Sequence, residues 1–232
     1  MERQTLRDFL IQRRLSLSLP AYSDLNAVVN NIIKSHFGFV RNTNIGLYWP
    51  FRNEFDSREA LFRLHEAGNT VSLPRVDKKG HPLVFMRWSP GVRMKEGKLG
   101  IPFPLGPIES PEILFIPLVG FDDRGYRLGY GGGYYDITLN SANPMPIRIG
   151  CGFEISHVKS IHPQPHDIPM ELIITEKGIR HFTPGKVEIV ESAARLQEIL
   201  LDLIFFRFQR WLTRPNFSPV CYSDETNSFN LI

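Results

Sequence analysis

Apolar positions along this chain switch between two periods, and the switches mark its elements. Leu6, Phe9, Leu10 and the stretch Arg13 to Leu17 are spaced for one helix face and predict a helix over residues 3–18, stopped by Pro20. Leu25, Val28, Val29, Ile32 and Ile33 recur at the 3.6 period and predict a second helix from Asp24 to Phe37. Ile45-Gly46-Leu47-Tyr48-Trp49 reads as the first core strand, with Pro50 to Glu54 as the loop at its carboxyl end. Asp56-Ser57 opens a helix with Ala60, Leu61, Leu64 and Ala67 on one face, ending near Gly68. Val71 to Arg75 is a second strand, and His81 to Trp88 an edge strand or hairpin. Gly97 to Pro104, with its prolines and apolar residues, reads as an ordered loop. Ile113 to Pro117 is a continuous apolar run bounded by turn residues, the pattern of a buried strand.

A loop from Gly120 to Tyr126 then leads into Arg127-Leu128-Gly129-Tyr130-Gly131-Gly132-Gly133-Tyr134-Tyr135-Asp136, four glycines within five positions. Without Cβ the backbone can take φ > 0 and lie against a ligand, and its N–H groups can form a concave anion site where a helix begins. Arg127 adds a charged fork for phosphate oxygens, and Asp136 a hard carboxylate suited to Mg²⁺. A flexible surface turn is the alternative, but the position after a buried strand favours nucleotide phosphate. The helix continues briefly from Ile137 to Asn140, and Arg148 to Phe153 is the next strand.

The stretch Phe121 to Asp136 closely resembles the signature of the 5-formyltetrahydrofolate cyclo-ligases, or methenyltetrahydrofolate synthetases, a resemblance running from about Arg3 to about Gly178. It implies a three-layer α/β fold with a largely parallel sheet, similar to sugar-phosphate isomerases and CoA transferases. It also implies ATP- and Mg²⁺-dependent cyclisation of 5-formyltetrahydrofolate to 5,10-methenyltetrahydrofolate, releasing ADP and phosphate. Carried over position by position, Arg3, Arg7 and the run Arg127 to Tyr135 (Arg127, Leu128, Gly129, Tyr130, Gly131, Gly132, Gly133, Tyr134, Tyr135) bind ATP, with Arg127, Tyr134 and Tyr135 nearest the chemistry. Trp49 and Glu54 bind the reduced pterin, and Asp136 with Asp167 holds Mg²⁺. From the residues alone, Arg3 and Arg7 also suit a solvated helix face, Trp49 a core aromatic, Glu54 a helix-approach acid, and Asp167 a turn. Three positions depart from the family pattern: Phe103 replaces an acidic or amide residue, Ile137 an arginine and Glu171 an aspartate.

Beyond Gly178 the resemblance ends. Leu196, Ile199, Leu200, Leu203, Ile204, Phe208 and Trp211 follow helical spacing, widened by Phe205, Phe206 and Leu212. This gives a cyclo-ligase-like domain over 1–185, an amphipathic helix over 186–212 and a tail over 213–232 expected to be disordered. The helix is expected to dock on the domain or on a second subunit, a membrane-surface role being the alternative suggested by Arg195, Arg207, Arg210 and Arg214.

Composition narrows the partners. A net charge of +3 suits anionic ligands without suggesting nucleic acid, and no aromatic-basic RNA pattern is present. The two cysteines, Cys151 and Cys221, lack metal-ligand spacing and fit a reducing cytoplasm. No apolar run approaches the roughly 18 residues of a membrane span. The expected partner is 5-formyltetrahydrofolate, free or polyglutamylated, bound by a monomer or weak homodimer. The rival expectation is a non-catalytic nucleotide- or RNA-binding module that keeps the fold.

Overall fold

The computed structural model describes residues 2–212. Helices α1 (Arg3–Leu15) and α2 (Leu19–His36) precede strand β1 (Asn44–Gly46), helix α3 (Arg58–Glu66) and strands β2 (Thr70–Arg75) and β3 (Val84–Trp88). Short strands β4 (Met94–Glu96), β5 (Pro102–Pro104) and β6 (Ile108–Glu109) follow, then β7 (Ile113–Pro117), β8 (Gly120–Asp122), β9 (Arg127–Leu128) and helix α4 (Tyr134–Ser141). Strands β10 (Ile147–Cys151), β11 (His157–Val158), β12 (Leu172–Thr175), β13 (Gly178–Thr183) and β14 (Lys186–Val190) lead to helix α5 (Ala193–Leu212).

Nine strands form one sheet in the order β14-β13-β12-β10-β7-β1-β2-β3-β6. Its centre, from β12 to β2, is parallel, and antiparallel strands flank it on both sides. Strand alternation sorts the core into two faces. Ile113 and Phe115 of β7 pack with Val29 and Ile33 of α2, Leu61 and Leu64 of α3, and Leu196 and Ile199 of α5. Leu114 and Ile116 face the other way, with Leu139 of α4 and Phe121 of β8. The expected three-layer fold with a largely parallel sheet is therefore present. From β1 the chain moves to β2 on one side, and from β7 it moves to β10 on the other. The topological switch point, where open α/β sheets bind ligands, thus lies between β1 and β7.

Several element limits differ from expectation. α1 ends at Leu15, and α2 starts at Leu19 rather than Asp24, because Ser18 caps it and Pro20 sits in its first turn, where no N–H is needed. β1 is shorter than expected, although the Leu47 N–H still reaches the Ser72 carbonyl at 2.9 Å. β3 is not an edge, since β6 pairs outside it. The Gly97–Pro104 stretch forms half of a hairpin, β4 with β5. The Gly120–Tyr126 segment, expected as a loop, forms the β8–β9 hairpin with Asp122 Oδ1 accepting the Arg124 and Tyr126 N–H groups in its turn.

The largest correction lies past Gly178. Residues 186–190, expected within the final helix, form strand β14, because Val187 and Ile189 pair with β13 in period-2 register. The helix begins only at Ala193 and docks on the domain through buried Leu196, Ile199 and Leu200. A second tie is ionic. Arg207 Nη2 donates to Glu171 Oε1 and Oε2 at 2.7 and 2.6 Å, and the same carboxylate accepts the Arg148 backbone N–H at 2.9 Å. The expectations for the side chains of Phe208, Arg210, Trp211 and Leu212 and for 213–232 fall outside the described residues. Each buried aliphatic side chain of α5 contributes on the order of 2 kcal/mol, as an upper figure. Ending the chain after Glu191 spares β14, and in thermal unfolding that protein should melt on the order of 10 °C lower while keeping its turnover number. Lost turnover in a folded protein of that length would place α5 in the site.

Candidate active site

The first helix supplies the charge. Leu6, Leu10 and Ile11 pack α1 on Val119, Leu128 and Ile161, fixing it against the β8–β9 hairpin. At 100° per residue, Arg3, Arg7 and Arg14 fall within about 40° of one another on that helix. Arg7 reaches the glycine-rich loop: its Nε donates to the Gly129 carbonyl at 2.7 Å, and a Cβ on Gly131 would lie 3.4 Å from its Cζ. Burial, and then the nearby charge of Arg3, pull the Arg7 pKa below its ordinary value. Gathered cations of this kind suit a multiply charged anion.

The loop itself is shaped for close approach. Gly131 has φ +89 and Gly133, the N-cap of α4, has φ +66. No side chain caps the first turn of α4, so its leading N–H groups remain available to an anion. Arg127 is 95% buried at its side chain: Nη2 donates to Asp136 Oδ2 at 2.9 Å, the guanidinium lies 5.4 Å over the Tyr135 ring, and Nε has no partner. Tyr134 packs into the α4-side core, its ring filling the space that a Cβ on Gly132 would enter.

Asp167 lies at the other end of the arginine row. Arg3 Nη1 donates to its Oδ2 at 2.5 Å and to the His162 carbonyl at 2.9 Å. Burial raises the Asp167 pKa, but the hydrogen bonds from Arg3 and the Gln164 N–H outweigh it and hold the carboxyl below its ordinary value. Asp136 and Asp167 are thus each tied to an arginine that faces the anion site. Among the described residues, no group of three or more His, Cys, Asp or Glu is placed to hold a metal.

The β1 loop contributes the other half. Glu54 is 3% exposed. Its Oε2 accepts the Phe51 N–H at 3.0 Å, and its Oε1 is buried without a partner. Burial pushes its pKa up to about 7, against the opposing charge of Arg14. Trp49 packs beside this loop on the main core, with the Arg58 guanidinium 5.4 Å over its ring. Tyr48, the neighbouring residue, has a buried hydroxyl without a partner. The two halves meet at Tyr130, whose ring lies 5.7 Å from that of Phe51 and whose hydroxyl donates to the Phe51 carbonyl at 3.3 Å.

Of the residues singled out in the sequence, the structure brings Arg7 to Gly129, Arg127 to Asp136 and Arg3 to Asp167, and Tyr130 joins the glycine loop to the turn that bears Glu54. No hydrogen bond or ion pair among the described residues joins Asp136 to Asp167. Arg14 carries no signal of its own in the sequence: it follows Arg13, and what it meets on the Arg3–Arg7 face is set by distant segments. Tyr48 was read only as strand.

Comparison with known proteins identifies the family. The model of the 5-formyltetrahydrofolate cyclo-ligase family matches residues 1–176. The chain is 35% identical over 135 residues to the 5-formyltetrahydrofolate cyclo-ligase of Haemophilus influenzae, covering 55% of this chain and 72% of that one. It is 26% identical over 180 residues to the Escherichia coli cyclo-ligase, covering 72% and 97%. The solved 5,10-methenyltetrahydrofolate synthetase of Aquifex aeolicus aligns with a TM-score of 0.69 at 26% identity, covering 82% of this chain and 98% of that one. This chain belongs to the 5-formyltetrahydrofolate cyclo-ligase family, a family of ATP-dependent enzymes, and nothing in these relatives favours the non-catalytic module.

The glycine geometry can be tested directly. Gly131→Ala forces an L side chain into φ +89 and pushes a methyl towards Arg7. Strain of about 1–2 kcal/mol should raise the KM for ATP roughly tenfold, with little change in the KM for folate. Steady-state titration of each substrate checks this, and equal changes in both would refute it.

Proposed function

We propose that the residues at the β1–β7 switch point carry out the family's reaction, ATP-dependent conversion of 5-formyltetrahydrofolate to 5,10-methenyltetrahydrofolate, with the roles that follow. One observation carries the reading: an arginine-lined glycine loop and the turn that bears a buried glutamate with an unpaired oxygen meet at Tyr130. Arg3, Arg7, Arg127 and the N–H groups of the loop receive the triphosphate. Glu54 accepts paired N–H donors of the pterin, supplying the partner that its Oε1 lacks, and Trp49 walls the ring. This fixes the formyl oxygen towards the γ-phosphoryl group.

An N-formyl oxygen is a poor leaving group. Its attack on the γ-phosphorus forms an O–P bond, breaks the bridging P–O bond and releases ADP. N10 then attacks the activated formyl carbon, phosphate departs with the C–O electron pair, and loss of the N10 proton leaves the methenyl bridge. Phosphoryl transfer of this kind needs positioning and charge neutralisation more than covalent help. Arg127 sits deepest for that purpose, and Tyr134 and Tyr135 shape the loop around it.

The donor set fits Mg²⁺. The cation takes one or two carboxylates with phosphates and waters, and Asp136 and Asp167 are hard oxygen donors beside the anion site. Both carboxylates are now paired with arginines. Phosphate oxygens compete for those same arginines, so nucleotide binding frees carboxylate oxygen for the metal. When bound, Mg²⁺ supplies charge neutralisation at the phosphates. Free, buried Cys151 fits a reducing, cytoplasmic setting. A monomer acting on free or polyglutamylated folate is the simplest form of the reading.

Mixing the protein with 5-formyltetrahydrofolate, ATP and Mg²⁺ should generate the methenyl chromophore, and its absence with folded protein overturns the reading. Asp136→Asn should lower turnover and raise the Mg²⁺ concentration needed for it. Wild-type rates in both Asp136→Asn and Asp167→Asn at limiting Mg²⁺ would remove these residues as ligands. Glu54 adds a pH signature. Pterin donors need the carboxylate, so kcat/KM for folate should rise with pH through about 7, and Glu54→Gln should cost about a hundredfold and lose that rise. The folded carboxyl keeps its proton up to about 7, whereas the unfolded one releases it near 4.5. The folded state thus binds more protons between those values, and stability falls as pH rises through them. Relative to wild type, Glu54→Gln should melt higher at pH 8 than at pH 5, and an unchanged difference in calorimetry would deny Glu54 its raised pKa.

A further inference from the structure

Arg14 heads the large fully buried side chains among the described residues, 1% exposed, and no salt bridge among those residues includes it. Buried charge is costly unless it is paired or fully hydrogen-bonded. Here three oxygens from three separate segments receive it. Nε donates to the Arg52 carbonyl at 2.9 Å, Nη1 to the Leu118 carbonyl at 2.8 Å, and Nη2 to the Tyr130 hydroxyl at 2.6 Å. Arg52 lies in the loop that bears Glu54, Leu118 follows β7, and Tyr130 stands between Gly129 and Gly131 in the phosphate loop.

The Arg52 contact is made where the backbone is least willing to stay. Arg52 and Asn53 both have positive φ, +50 and +54, the left-handed region that side chains other than glycine rarely take. Such strain persists only where surroundings enforce it. The enforcers are the Arg14 bond to Arg52, the Phe51 N–H on Glu54 Oε2, and the Tyr22 hydroxyl donating to the Glu54 carbonyl at 2.8 Å. Tyr130 closes the circuit by donating to the Phe51 carbonyl while accepting from Arg14. A hydrogen-bonded path therefore runs from the glycine loop through Tyr130 and Arg14 to the turn that presents Glu54. Along α1, Arg14 stands about 16 Å from Arg3, so one helix face spans both halves of the site.

We propose that Arg14 is a positioning residue that couples the two substrate subsites, so that nucleotide settling on the glycine loop tightens the Glu54 turn on the folate. The inference rests on the ATP and folate assignments made above. A guanidinium suits this task because its planar fork reaches three acceptors in fixed directions, which the point charge of lysine cannot do. Coupling between sites is reciprocal, so the folate must equally tighten the nucleotide.

The test is binding without turnover. The Kd of 5-formyltetrahydrofolate is measured by equilibrium dialysis, with and without Mg²⁺ and a non-hydrolysable ATP analogue. Wild type should bind folate about tenfold tighter with the analogue present, within the usual range of such couplings. Arg14→Lys and Tyr130→Phe should reduce that enhancement to less than about twofold. In Arg14→Lys, nucleotide affinity measured without folate should stay close to wild type, and in turnover the KM for each substrate should no longer respond to the other. Tyr130→Phe removes one hydroxyl and keeps the ring that packs on Phe51, so it carries the test if Arg14→Lys fails to fold. Undiminished enhancement in folded Tyr130→Phe, or no enhancement in wild type that binds both ligands, overturns the coupling role. Wild type that binds no folate at all instead overturns the functional assignment on which it rests.

Discussion

One helix has to bury apolar surface and positive charge in nearly the same direction, and much of the site follows from that constraint. α1 has Leu6, Leu10 and Ile11 in contact with the β8–β9 hairpin, and Arg3, Arg7 and Arg14 beside them. The apolar contact fixes the helix without using any arginine. The arginines are therefore free to meet oxygens: a carboxylate for Arg3, a glycine-loop carbonyl for Arg7, and three neutral acceptors for Arg14. Arg14 is satisfied enough to be buried, whereas half-buried Arg3 and Arg7 hold partners that a phosphate can displace. Charge-assisted bonds to phosphate are roughly twice as strong as neutral ones, which favours the exchange.

The sheet explains why this helix reaches both halves of the site. Neighbouring parallel strands β1 and β7 send their loops out at the same end, and the chain diverges from them in opposite directions. The crevice at that point is fixed by topology before any particular side chain is considered. Only the residues placed in it are specific to this chemistry. Tyr48 Oη, Glu54 Oε1 and Arg127 Nε are three of the six buried side-chain polar atoms without protein partners among the described residues, the others being Asn30 Oδ1, Asn44 Oδ1 and His181 Nδ1. The first three lie on the segments that bear the site, where a polar ligand would complete them.

Local signals made part of this legible from sequence and hid the rest. Ile113 to Pro117 and the glycine run carry their own pattern, so the buried strand and the phosphate loop could be read without tertiary knowledge. The start of α2 could not, because Pro20 was taken as a stop when it stands in a first turn, where its missing N–H costs nothing. The β8–β9 hairpin was missed because its turn is organised by the Asp122 side chain instead of a two-residue glycine turn. Arg14 was invisible for a deeper reason. Nothing in Arg13-Arg14-Leu15 says which arginine turns inward; that depends on Arg52, Leu118 and Tyr130, brought together from as far as 116 positions away.

The same reasoning bears on Glu171, which reads in the sequence as a departure from the family pattern. Its side chain sits between Arg148 and Arg207. Arg207 belongs to α5, which lies beyond the 1–176 span that matches the family. Glu171 therefore holds, through Arg207, a helix that lies beyond the matched family span. Glu171 immediately precedes β12, and the Asp167 that faces Arg3 lies one short turn upstream. The added helix is consequently anchored to the segment that carries a proposed metal ligand, while its apolar stripe packs on the opposite face of the sheet from α4. Among its described residues α5 brings none of the groups assigned to the site, so this anchoring bears on stability and not on turnover.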